Sequence, residues 1–257
     1  MTDLTAFNVT YFPSGQRNLL VVDGIPVEAG ASRNASSTQI SSANTASALR
    51  LLYPANSINP ARKPAGGAEF YAMPLNLSGA RNVTLEYSVF FPVDFIWVKA
   101  GKLPGLYGGH TGCSGGAAAR TCFSTRLMWR PHGVGELYLY APKDKQTAAL
   151  CSDPQSVCDA AYGLSIGRGS FSYTPGEWTT LRQNVVLNTP GQQDGVFTLD
   201  VNGKQVINRT DIFYRNTVFR HVRLPYHSTF FGGHEEDYAT PKDQYTWFTN
   251  FSINRHW

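Results

Sequence analysis

The feature that most constrains this chain is an apolar–polar alternation with a period of two. It recurs in short segments and never gives way to a helical period. Side chains on a strand point alternately to opposite faces, so such segments fit half-buried strands. The pattern predicts strands over 17–23, 82–91, 94–100, 122–130, 135–141, 178–188, 195–201, 217–224 and 245–253. Asn202-Gly203 falls between two of these runs and is a two-residue hairpin signal, with 204–208 returning. Aromatic residues at 13% and charged residues at 16% favour strands over helices. Many strands without β–α alternation predict an all-β chain. The expected form is a two-sheet antiparallel sandwich of jelly-roll type, with residues 1–257 as one domain.

Three stretches interrupt the pattern. Residues 30–47 are poor in apolar side chains and read as a surface excursion. Residues 103–121 read as a glycine-rich loop, and 142–176 as a long irregular segment. The four cysteines fall in two local pairs, Cys113 with Cys122 and Cys151 with Cys158. Neither spacing suits zinc, so two disulfides are expected over free buried thiols. Six N-x-S/T sequons, at Asn8, Asn34, Asn76, Asn82, Asn208 and Asn250, exceed what chance supplies. With the paired cysteines they point to a secreted, extracellular glycoprotein. Residues 1–4 carry no leader features, which implies a removed leader and a supplied Met1. No run of 18 apolar residues is present, so no membrane span is expected. The net charge of +4 is too weak and too scattered for nucleic acid, but it suits an acidic glycan.

Alternation assigns faces within the richest region. In 122–130, Phe123, Thr125, Leu127 and Trp129 share one face, while Ser124, Arg126, Met128 and Arg130 share the other. In 135–141, Leu137 and Leu139 oppose Glu136, Tyr138 and Tyr140. With the leucines in the core, two arginines, a serine and two tyrosines line a common outer surface. Arginine pairs bidentately with carboxylates, and tyrosine packs against sugar rings. The same set also suits a cross-strand ladder that only stabilises the sheet, and spacing alone leaves both readings open.

The order Lys102 … Ser124-x-Arg126 … Tyr138-x-Tyr140, after the run KAGKLPGL at 99–106, resembles polysaccharide lyase family 14. That family holds alginate and glucuronan lyases and is related to the fungal glucuronan lyases of family 20. The segments 175–191, 194–204 and 228–233 add to the resemblance, which covers about residues 83–254. It implies a jelly roll with a concave cationic cleft that cleaves a 1,4-linked polyuronate by β-elimination. Such a reaction needs a group facing the uronate carboxylate, a base for the C5 proton and an acid for the departing O4. The resemblance assigns catalysis to Lys102, Arg126, Tyr138 and Tyr140, and substrate binding to Ser124, Lys99 and Arg130. A tyrosine serves as base or acid if Lys102 or Arg126 lowers its pKa. Glucuronan is the expected substrate, with alginate next. The expectations are a monomer, no nucleic-acid or membrane partner and no required cofactor. The disulfide in 107–121 has no counterpart in the family pattern. The rival reading is a non-catalytic, lectin-like jelly roll for acidic glycans.

Other candidates are weaker. His234-Glu235-Glu236-Asp237 offers oxygens for a structural Ca²⁺, but a solvated turn suits it better, and no metal site is assigned. His227 and His234 flank FFGG and are candidate bases or ordinary surface residues. No matched carboxylate pair supports a glycosidase, and a serine hydrolase is not expected. Trp97, Trp129, Trp178 and Trp247 are expected in the core.

Overall fold

A computed structural model describes residues 3–30, 47–110, 112–158, 161–217 and 222–257. The sequon at Asn34, almost all of the 30–47 excursion, residues 218–221 of one expected strand and Thr111 lie outside the described residues. Among the described residues the chain forms two antiparallel sheets, as a jelly roll requires. The first contains β1 (Val9–Ser14), β4 (Ala68–Ala72), β6 (Gly101–Leu103), β7 (Gly105–Gly108), β8 (Phe123–Trp129), β9 (Gly135–Tyr140), β10 (Leu164–Ile166) and β14 (Val222–Phe231). Its order is β1-β4-β14-β6-β8-β9-β10, with β7 also lying between β14 and β8. The second contains β2 (Leu19–Asp23), β3 (Ser47–Tyr53), β5 (Asn82–Phe90), β11 (Trp178–Val186), β12 (Gly195–Val201), β13 (Lys204–Ile212) and β15 (Gln244–His256). Its order is β13-β12-β11-β5-β15-β3-β2.

One core lies between the sheets. Phe123, Leu127, Trp129, Leu137 and Leu139 enter it from β8 and β9, and meet Leu85, Tyr87, Val89, Leu181, Phe197 and Leu199 from the other sheet. Polar ties cross this core where a strand must be fixed in register. Thr125 Oγ1 donates to Gln183 Oε1 at 2.6 Å, and Tyr87 Oη donates to the carbonyl of Pro104 at 3.0 Å. Buried hydroxyls left without such partners would each cost on the order of 1–3 kcal/mol. Trp129 and Trp247 are buried as expected, and Trp97 packs against the core from its edge.

Two expectations about elements require correction. Residues 94–100 are not a strand. Val98 has φ of 52°, and Ile96 pairs with a side chain instead of a neighbouring strand. Ile96 N–H donates to Gln244 Oε1 at 2.6 Å, and Gln244 Nε2 donates back to Ile96 O at 3.1 Å. The apolar residues that suggested a strand are a plug: Phe95 and Trp97 pack on Phe91 with centroids 4.9 and 4.6 Å away. Residues 103–108 are not loop but belong to β6 and β7, interrupted at Pro104. Their glycines signal close packing. A Cβ on Gly101 would lie 1.8 Å from the Trp129 ring, and one on Gly108 would lie 2.2 Å from the Phe123 ring.

Segment 142–176 is partly ordered by a short helix, Ala148–Ser152, and by β10. Both expected disulfides are formed. Asn202 and Gly203 adopt φ of 50° and 80°, as the tight turn between β12 and β13 requires.

Candidate functional site

The outward face of the first sheet carries a cleft of about 610 Å³. Register explains why the side chains converge there. Lys102 on β6 stands opposite Met128 on β8, and Arg126 on β8 stands opposite Tyr138 on β9. The core-facing partners of these residues are apolar, so the alternation turns all four outward together. Lys102, Arg126, Arg130, Tyr138 and Tyr140 all line the cleft.

Lys102 is buried beneath the cleft surface. Its Nζ lies 3.9 Å from the Tyr138 ring centroid and donates to Met128 Sδ at 3.0 Å. Burial pushes its pKa well below the usual lysine range, and the charges of Arg126 and Arg130 add to that depression. The Arg126 guanidinium carbon is 5.6 Å from the Tyr140 ring centroid. The rings of Tyr138 and Tyr140 meet edge to face at 5.6 Å. Their hydroxyls each accept a backbone N–H, from Gly163 on Tyr138 and from Gly116 on Tyr140, both at 3.1 Å.

The expectation that a neighbouring cation lowers a tyrosine pKa does not describe Tyr138. Burial raises it, Tyr140 adds to the rise, and the opposing effects of Gly163 N–H and Arg126 are smaller. Burial therefore moves the two groups in opposite directions, with the Tyr138 phenol held protonated more tightly and the Lys102 amine less tightly than in water.

The remaining expected residues occupy different positions. Ser124 is fully covered, and its Oγ donates to the carbonyl of Cys113 at 3.1 Å. Lys99 is exposed, pairs with Asp237 and lies 5.1 Å from the Tyr238 ring centroid, at the rim. Arg130 lines the cleft but also holds Glu136 at 2.6 Å. Glu136 is fully buried, with Arg168 at 2.7 Å and Ser165 Oγ at 2.6 Å. Burial, the largest single effect, would raise its pKa, but the hydrogen bond and charge of Arg130, the hydrogen bond of Ser165 and the charge of Arg168 together lower it. Glu136 is thus a fixed anion that organises the site rather than a proton donor.

His227 faces the core, not the cleft. Its ring stacks on Phe70 at 4.6 Å and 7°, and burial lowers its pKa to about 3. His234 lies at the cleft rim, stacked on Tyr162 at 4.8 Å. Among the described residues no group of three or more His, Cys, Asp or Glu is placed to hold a metal ion.

Sequence reasoning missed Glu69, Tyr162 and Tyr238, which also line the cleft. Glu69 was findable. In Ala68–Ala72 the core takes Phe70, so Glu69 must face the other way, where it accepts a hydrogen bond from Ser228 at 3.0 Å. Tyr162 and Tyr238 come from irregular segments whose position depends on tertiary packing.

Comparison with known proteins agrees with this geometry. The family described as polysaccharide lyase 14 matches residues 41–251. The PL-14 alginate lyase from Aplysia kurodai is 31% identical over 98% of this chain and 93% of that one, with a TM-score of 0.79. Alginate lyase vAL-1 from Chlorella virus is 28% identical over 82% of this chain and 85% of that one, at 0.66. The endo-β-1,4-glucuronan lyase from Trichoderma reesei shares the fold, with a TM-score of 0.56 at 9% identity over 96% of this chain and 91% of that one. A curated relative, Exolysin of Paramecium bursaria Chlorella virus 1, is 26% identical over 68% of this chain, which spans 30% of that relative's length. The family match over most of the chain, together with the likeness to the Aplysia kurodai enzyme along nearly its whole length, shows that the chain belongs to polysaccharide lyase family 14.

Proposed function

We propose that the protein is an extracellular polyuronate lyase that cleaves 1,4-linked chains by β-elimination, with alginate as its first substrate and glucuronan second. The observation that carries the reaction is the buried, deprotonation-prone Lys102 beside Arg126 and the Tyr138–Tyr140 pair in one cleft. The preference for alginate rests on two solved relatives above a quarter identity, both alginate lyases, whereas the glucuronan lyase shares only the fold. Extracellular placement is supported by the two disulfides and by exposed sequons at Asn8, Asn76, Asn208 and Asn250.

The residues divide the work. Arg126 faces the uronate carboxylate and stabilises the charge that develops there when C5 loses its proton. The neutral amine of Lys102 takes that proton. Its lowered pKa raises the neutral fraction at working pH. The electron pair left at C5 forms the C4=C5 double bond as the C4–O4 bond breaks. A phenol of the Tyr138–Tyr140 pair protonates the departing O4. The phenolate then recovers its proton as Lys102 releases its own, through solvent.

The test is incubation with polymannuronate, polyguluronate, glucuronan and pectate, monitored by the ultraviolet absorbance of the unsaturated uronate. A rise that is fastest on the alginate components supports the reading. A faster rise on glucuronan reverses the order of substrates, and no rise on any polymer rejects a lyase.

A further inference from the structure

The Cys113–Cys122 disulfide and the glycine loops beside it have no part in the chemistry above, yet they touch its central groups. Cys113 is anchored on the cleft side of the sheet by its own backbone. Its N–H donates to Tyr107 Oη at 2.7 Å, and its carbonyl accepts from Ser124 Oγ at 3.1 Å. The disulfide ties it to Cys122, immediately before β8. Between these anchors the chain turns, with Ala117 N–H donating to Ser114 O at 3.0 Å, and presents Gly116 N–H to the Tyr140 hydroxyl. Ser114 and Gly115 of the same turn form a wall of the cleft.

A second loop does the same for Tyr138 through Gly163 N–H. A side chain is excluded at Gly163. A Cβ would lie 2.7 Å from Tyr140 Cε2 and 3.0 Å from Tyr138 Cε1. The two loops lie close together, since a Cβ on Gly116 would lie 3.4 Å from the carbonyl of Ala161.

We infer that Gly116 and Gly163 are positioning residues for the elimination: their backbone N–H groups fix the two cleft phenols, and the Cys113–Cys122 disulfide holds the first donor in place. Phenolic oxygens that must hand a proton to a departing O4 need a fixed distance and direction to it. A backbone N–H gives both, because unlike a side chain it has no rotamer to lose. Donation to a phenolic oxygen also favours the phenolate, easing loss of its proton in the transition state. The disulfide thereby makes turnover, and not only stability, depend on an oxidising surrounding.

The inference rests on the lyase reading, and the experiment separates the two. Wild type is assayed first; absence of unsaturated product on every polyuronate rejects the lyase reading itself. With an active wild type, C113A/C122A and G163A are compared for kcat, KM and the pH dependence of kcat, alongside far-ultraviolet circular dichroism. The expected result is a native spectrum, KM within about threefold and kcat lower by about tenfold or more. The limb of the pH profile that belongs to tyrosine moves to higher pH, since a phenol pushed away from its N–H donor, by the added methyl at position 163 or by the released 113–122 loop, holds its proton more tightly. If C113A/C122A fails to fold, G163A alone decides. A folded variant that keeps kcat within about twofold of wild type, or that loses activity through KM with the pH limbs unmoved, overturns the inference.

Discussion

Lys102 and Tyr138 stand amine over ring, with Nζ 3.9 Å from the ring centroid, although β8 separates their strands β6 and β9 in the sheet. A charged amine would gain from the ring's negative face, but burial and two nearby guanidiniums oppose its charge. The balance favours an amine that gives up its proton and takes another. Lys102→Arg separates charge from basicity, because a guanidinium stays protonated. The expected outcome is a kcat about two to four orders of magnitude lower with oligosaccharide affinity largely kept. Stopped-flow kinetics and equilibrium binding check it. Retained turnover in the arginine variant shows that the position needs only a cation.

Tyr138→Phe and Tyr140→Phe each remove one hydroxyl and leave the ring. At least one of the two is expected to lower kcat by about a hundredfold or more, with KM little changed. Steady-state kinetics on alginate oligosaccharides provides the measurement. Two variants with full turnover exclude the pair as the source of the leaving-group proton.

Glu136→Gln removes the anion that Arg130 and Arg168 share. Breaking a buried pair from one side costs about 3–5 kcal/mol, and the value here sits at the lower end because Arg168 is able to turn toward water. The carboxylate's folded pKa is depressed, so its contribution is complete above the ordinary carboxylate pKa and is lost as pH falls through the depressed value. Thermal unfolding from neutral to acid pH is therefore expected to show an acid-side loss in wild type that is weaker in the variant.

Much of the fold and part of the site are legible in the sequence, for reasons that differ by segment. Residues 123–129 and 135–140 form an antiparallel pair with an apolar core face and a polar cleft face, so strict alternation assigns Arg126, Tyr138 and Tyr140 to the cleft face directly. Residues 101–108 mislead because glycine there marks space taken by the rings of Trp129 and Phe123, not a turn. Residues 94–100 mislead because a buried apolar plug has the composition of a strand without its hydrogen bonds. The direction of the Tyr138 pKa depends on how deeply the ring is covered, and that coverage comes from loops far off in sequence. Gly163 and Gly116 carry no residue-type signal for a phenol-holding donor, since the donor is backbone.

His227 illustrates a stability cost unrelated to the cleft. It lies between Phe70 and Phe248, and neither ring nitrogen has a hydrogen-bond partner among the described residues. Its folded pKa of about 3 lies below the ordinary histidine value of 6.5. Protonation therefore favours the unfolded chain, and stability is lost as pH falls from about 6.5 toward 3. Each pH unit in that window costs at most about 1.4 kcal/mol. His227→Phe removes this dependence. Urea unfolding is expected to show the variant near wild type at neutral pH and more stable by about 2–4 kcal/mol at pH 4. An equal acid sensitivity in both proteins assigns it to other groups.

The central claim is that the cleft breaks the C4–O4 bond by elimination rather than by adding water. Cleavage of alginate in heavy-oxygen water, with mass spectrometry of the fragments, tests this most directly. Elimination predicts one fragment with a normal reducing end and one with a C4=C5 unsaturated end, neither carrying heavy oxygen from the bond-breaking step once exchange at the reducing end is corrected with an uncut control. A pair of saturated fragments whose summed mass exceeds that of the parent chain by one water contradicts the account and identifies a hydrolase.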